Sequence, residues 1–177
     1  STAKPNQEAF EVNLHGNIGN GKAQLLFQYL NAKKEKGVYL GANAALGRRG
    51  IRMKFFPENP IPVYRPFHLN ERNYLYLADR GRIYGDVRLF DNQGTGIHFY
   101  TNREDTIADQ EMTVELSRID LKQFKKVLPY LPDVEGWLGG SLHYVDSEGQ
   151  MMLSAEMNLD NFVYAECPLG NRTMSGD

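Results

Sequence analysis

The chain has 177 residues, a formal net charge of −2 and a pI of about 6.1, with 41% hydrophobic and 24% charged residues. That balance excludes a disordered chain and leaves no basic excess for gripping a nucleic-acid backbone. The single cysteine, Cys167, excludes an internal disulfide, and no apolar run approaches the roughly 18 residues of a membrane span.

From the N-terminus the dominant signal is alternation with a period of two, the mark of a half-buried strand. It runs through Val12, Leu14, Gly16 and Ile18, then Ala23, Leu25, Phe27 and Tyr29, then Val38, Leu40, Ala42 and Ala44. Side chains two apart share a face of a strand, so each segment has one apolar and one wetter face. The basic groups Lys33, Lys34 and Lys36, and Arg48 and Arg49, fall in glycine-flanked turns and read as solvated loop charge.

Four prolines (Pro57, Pro60, Pro62 and Pro66) then fall within ten residues. Proline cannot donate to a sheet ladder, so residues 55–73 read as a connecting or edge segment. Phe55, Phe56, Ile61, Val63, Tyr64 and Phe67 give this segment apolar surface to bury, which argues against a flexible linker. The expected organisation is an N-terminal β region over 1–54, this connector over 55–73, and a β-hairpin region over 74–177, together one continuous domain.

Further along, Ile83, Val87 and Leu89 alternate, as do Met112, Val114 and Leu116, and finally Met151, Leu153, Ala155, Met157 and Leu159. Asp91-Asn92-Gln93-Gly94 is expected to link strand 83–90 to strand 96–101, and Asp146-Ser147-Glu148-Gly149 to link strand 138–145 to 150–159. An Asp opening and a Gly closing such a turn suit a type I turn with a glycine bulge. Asp79-Arg80-Gly81 is a third connector.

Between these strands, Asp120 is placed to cap a helix near 120–131, with Gln123 at the reciprocal position. Leu121, Phe124, Val127, Leu128 and Leu131 form an apolar stripe, and Pro129 stops the helix. The stripe is expected to cap or plug an apolar sheet face. Gly136, Gly139 and Gly140 would re-aim the chain into the next hairpin, with Trp137 and Leu138 on opposite faces. The expected fold is mainly β: an antiparallel curled sheet, either an open trough or a β-sandwich-like arrangement, with this one short helix.

No constellation of catalytic residues emerges. His15, His68, His98 and His143 lack metal-ligand spacing, Gly94-Thr95-Gly96 has no helix after it, and Cys167 has no His nearby in sequence. No catalytic, metal or cofactor role is assigned. The candidate lining of an apolar trough is Val87, Leu89, Met112, Val114, Leu116, Leu142, Met151, Leu153 and Met157.

The run LKQFKKVLPYLPDVEGWLGGSLHYV, followed by an alternating strand and FVYAECPLGN, resembles the TamB-like branch of the AsmA-like envelope proteins. So does the upstream FHLNERNYLYLADRGRIYGDVRLFDNQGTGIHFY, and the likeness covers roughly 63–171. It implies a segment of a large periplasmic protein anchored in the inner membrane of a double-membrane bacterium. It implies a non-enzymatic role in outer-membrane biogenesis, by phospholipid transport or by assembly of outer-membrane and secreted proteins. The partners implied are phospholipid acyl chains, and a TamA- or BamA-like outer-membrane barrel or nascent β-barrel proteins. Without an initiator Met, and ending in RTMSGD, the chain reads as a piece excised from such a protein. Two further readings stay open, a chaperone-like module pairing through sheet edges and a closed ligand-binding β domain.

Overall fold

The structure, a computed structural model, describes residues 9–17, 20–104, 109–128 and 130–164. Ile18, Pro129 and Cys167 lie outside the described residues. The strands are β1 (Ala9–Asn17), β2 (Lys22–Leu30), β3 (Lys36–Gly47), β4 (Gly50–Phe55), β5 (His68–Leu69), β6 (Tyr74–Ala78), β7 (Ile83–Phe90), β8 (Gly96–Thr101), β9 (Gln110–Asp120), β10 (Val134–Ser147) and β11 (Gln150–Tyr164). The single α-helix of the described residues, α1, spans Leu121–Lys125, and a 3₁₀ turn spans Asp79–Gly81.

All these strands join one antiparallel sheet in the order β1-β2-β3-β4-β6-β7-β8-β9-β10-β11, with β5 added against β7. Apart from β5 the order is that of the chain: most strands return beside their predecessor through a short turn, and longer connections join β4 to β6 and β9 to β10. β1 and β11 each have one strand neighbour among the described residues, so the sheet is open. Of the two arrangements expected, the single sheet is the one present. β4 and β6 pair directly from Gly50↔Ala78 to Met53↔Leu75, so the strands on either side of the proline-rich segment share the sheet.

The proline-rich segment completes the sheet where β4 and β6 stop short. Ile61 exchanges both backbone hydrogen bonds with Tyr39 of β3, and the Tyr64 N–H donates to the Gly37 carbonyl. His68 and Leu69 then pair with Phe90 and Leu89 of β7. Val63 and Phe67 are each 1% exposed and, with Asn73, are the largest fully buried side chains among the described residues. Phe56 lies over Gly41, where a Cβ would sit 2.6 Å from the ring.

Three side-chain amides stand in for missing peptide groups at these interruptions. The Asn73 Oδ1 accepts from the Phe55 N–H at 2.7 Å, and its Nδ2 donates to the Phe55 and Asn70 carbonyls at 3.0 and 2.9 Å. Asn70 serves β7 in the same way, accepting from the Arg88 N–H at 2.9 Å and donating to the Asp86 carbonyl at 3.2 Å. Beyond the end of β8, Gln110 accepts from the Ile83 N–H at 2.7 Å and donates to the Ile83 carbonyl at 2.6 Å. Buried polar groups are tolerated when paired, and Asn73 and Gln110 are buried because they complete a ladder.

The β7–β8 hairpin matches the expected turn. The Asp91 N–H donates to the Thr95 carbonyl, its Oδ1 accepts from the Gln93 and Thr95 N–H groups, and Gly94 closes the loop at φ 85°. The β10–β11 hairpin differs. Glu148 and Gly149 both have positive φ, at 51° and 76°, and Ser147 pairs directly with Gln150, which defines a two-residue type I′ turn. Its twist matches that of the long strands it joins.

Arg65 reaches from the proline-rich segment to Asp91, with Nη2 2.6 Å from Oδ2. Burial alone would raise the Asp91 carboxyl, but Arg65 and the Thr95 and Gln93 N–H donors outweigh it and hold the pKa below its ordinary value. The folded state therefore favours the carboxylate. That stability is present above the unfolded pKa of about 4 and is lost as pH falls through the lower folded value. Urea denaturation at pH 5 and pH 3 should show a smaller loss on acidification in Asp91→Asn than in the parent. An equal loss would mean that Asp91 is not linked to acid sensitivity.

The helix is shorter than the stripe suggested. Asp120 caps it, with Oδ1 accepting from the Lys122 N–H at 3.1 Å. After Lys125 the backbone bonds tighten, the Val127 N–H reaching the Phe124 carbonyl and the Leu131 N–H the Leu128 carbonyl. Leu121, Phe124, Val127 and Leu131 are half-buried, and Leu128 is exposed. No residue of α1 is fully buried, so little packing energy extends it.

β10 carries the irregularity that its glycines foreshadowed. Gly136 and Gly140 have φ of 135° and 131°. β11 bulges opposite Gly136, between Asp160 and Val163, and β9 bulges opposite Gly139, between Leu116 and Ile119. Arg118 and Asn161, within those bulges, have φ of 48° and 55°. Each bulge adds a residue on one side of the ladder and bends the strand.

Candidate functional site

The ladder registers bring most of the aliphatic strand residues to one face. One row crosses Val87, Phe99, Val114, Leu142 and Ala155. The next crosses Leu89, Ile97, Leu116, Gly140 and Met157, and a third crosses Thr101, Met112, Tyr144 and Leu153. Met151 continues this face one step along β11, opposite Asp146. All nine residues proposed as trough lining therefore share a face.

The same face extends through the other half of the sheet. Ala23, Ala44, Met53, Leu75 and Gly85 form one row, and Leu46, Ile51, Leu77 and Ile83 another. Gly85 leaves space on this face for Phe99 and Leu75, whose side-chain atoms lie 3.2 and 3.3 Å from where its Cβ would be. Ile97, Phe99, Leu75, Ile51 and Met53 belong to the face although sequence reasoning did not single them out. Their alternation was visible, but short strands next to prolines and tyrosines carried a weaker signal.

No second sheet lies against this face, because every described strand belongs to the one sheet. Leu77 on β6 and Ile97 on β8 are each 36% exposed despite their place in the middle of the strand order. Towards β11 the face opens fully, with Met151 at 72%, Leu153 at 70% and Leu159 at 50%. Between these points the band is half-buried, and Ala44 is buried, but its exposed stretch along β11 is more than the scattered exposed leucines of an ordinary surface. The stripe of α1 contacts β10 and β9, at the end of these two strands, and does not seal the face.

The opposite face is polar. His98 lies 2.9 Å from Asp86 and 3.5 Å from Glu115, and His143 lies 3.3 Å from Glu111 and 2.9 Å from the Thr113 hydroxyl. These are cross-strand pairs of a solvated sheet face. The Arg52 guanidinium covers the Tyr76 ring at 4.0 Å and takes both Glu104 oxygens at 2.7 Å. Among the described residues no group of three or more His, Cys, Asp or Glu is placed to hold a metal ion. No helix among them is long and apolar enough to cross a membrane.

Comparison with protein-family models, with curated proteins and with solved structures finds no match to this chain.

Proposed function

We propose that this chain is a non-enzymatic segment of a TamB-like periplasmic protein, within a parent anchored in the inner membrane, that offers an apolar sheet face to phospholipid acyl chains during outer-membrane biogenesis. The observation that carries this reading is the unbroken apolar face of a single open sheet. An acyl chain of about 16 carbons costs on the order of 12 kcal/mol to expose to water, at roughly 0.8 kcal/mol per CH₂. A surface that stays apolar from strand to strand removes much of that barrier. The nine strand positions from β2 to β11, at about 4.8 Å each, would extend such a path over roughly 43 Å.

Leu153→Glu tests the proposal. Leu153 is 70% exposed, so the carboxylate reaches water and the change in stability should stay below about 1 kcal/mol. Phospholipid recovered with the purified protein, quantified by mass spectrometry, should fall sharply. Undiminished lipid in a folded variant would remove this part of the face from the path.

A second reading, an assembly module that pairs with strands of nascent outer-membrane proteins or of a TamA- or BamA-like barrel, is favoured by β11. This edge strand runs for 15 residues and is exposed along its whole length. An edge of that kind offers unpaired backbone groups to an incoming strand.

A further inference from the structure

The charges of this chain are segregated. Residues 1–78 hold eleven Lys and Arg against five Asp and Glu, whereas residues 79–177 hold nine against seventeen. Because the strands pair in chain order, the division in sequence becomes a division across the sheet, with β1 to β6 on the basic side.

On that basic side lies a hollow of about 670 Å³, bordered mainly by residues of the polar face, with Ala23, Ala44 and Met53 of the strands between them also in its lining. Two register rows border it, Lys22–Ala45–Arg52 and Gln24–Asn43–Lys54. Asn73 and Tyr74 also line it, and no carboxylate among the described residues does. Ala45, the small residue between Lys22 and Arg52, leaves room above the sheet. Arg52 is already engaged by Glu104, but Lys22 and Lys54 make no ion pair or hydrogen bond among the described residues. The two lysines stand two strands and two residues apart, about 12 Å between backbones, and each side chain spans about 6 Å. Both ammonium groups can therefore meet on one anion above Ala45 and Asn43.

We propose that this hollow binds a phosphate ester. A tetrahedral anion accepts donors from several directions at once, as two ammonium groups and the Gln24 and Asn43 amides would supply. The aliphatic lysine stems and Ala45 then flank the ester's carbon skeleton. Its lysines lie on the face opposite the proposed acyl path, and the site stands independently of that path.

Calorimetric titration with glycerol 3-phosphate, and separately with a short-chain phosphatidylglycerol below its micelle concentration, tests the proposal. Saturable binding of at least one of them, one per chain, is expected. Binding of both at similar affinity identifies a free phosphate ester as sufficient, and binding of the lipid alone identifies a headgroup site. Lys22→Gln with Lys54→Gln should weaken binding at least tenfold. Ala45→Leu, which keeps every charge and fills the hollow, should do the same. Lys33→Gln with Lys34→Gln, which removes equal charge from the exposed turn after β2, should leave affinity within twofold. Absence of saturable binding of either compound, unchanged affinity in Ala45→Leu, or an equal loss in the turn variant would overturn the proposal.

Discussion

Asn73→Leu is expected to lower the free energy of unfolding by about 3–5 kcal/mol, because it strips three partners at once from a buried position. The Phe55 N–H and carbonyl and the Asn70 carbonyl would lose their hydrogen bonds, and a leucine of similar volume offers none in return. Asn73 is only 2% exposed, so water has little access to take its place. The damage falls where β4 ends, β6 begins and the proline-rich segment must bridge between them. Urea denaturation followed by tryptophan fluorescence and circular dichroism would measure it. A loss below about 1 kcal/mol would mean that the interrupted ladder re-pairs without the amide.

Gly140→Ala should be nearly as costly, about 2–4 kcal/mol, for two reasons that act together. At φ 131° an L side chain is strained, and the new Cβ would overlap the Glu156 carbonyl oxygen of β11. Gly139, one residue earlier, provides the comparison. Its φ is not positive, and its nearest obstacle is the Asn158 Oδ1 at 3.2 Å, the end of a side chain that can turn away. Gly139→Ala should therefore cost much less, under about 1 kcal/mol. Hydrogen exchange should place the damage of the first variant in β10 and β11, leaving β2 to β4 protected. Equal tolerance of both alanines would show that the irregularity of β10 is not held by its glycine.

Alternation made most strands legible, and the Asp91–Gly94 hairpin was placed with its strand limits because Asp and Gly each have a distinct local role there. The nine proposed lining residues share a face because a period of two fixes side-chain direction once the ladder is in register. β4 and β6 were not identified, although Ile51, Met53 and Phe55, and Leu75 and Leu77, alternate. Their neighbours include arginine and tyrosine on the wet face and prolines nearby, and a strand of five or six residues gives little pattern to weigh. The part played by Asn70, Asn73 and Gln110 was not legible at all. Nothing local marks an amide that completes a ladder, since the strand groups it pairs with lie 16 to 27 residues away. The helix was overestimated because a stripe of the right spacing specifies a face but not how much there is to pack it against.

The parity of the strand path has a consequence for how such sheets could be extended. With ten positions between and including β1 and β11, and every neighbouring pair antiparallel, the first and last strands run in opposite directions. A strand added antiparallel to β11 would thus run in the direction of β1. Repeating this unit by translation would reproduce the same up-and-down order, with no strand direction reversed at the join. An odd number of positions would force a parallel pair or an inverted unit at each junction. The even path makes the sheet a repeatable tile, in which length can grow without a change of topology.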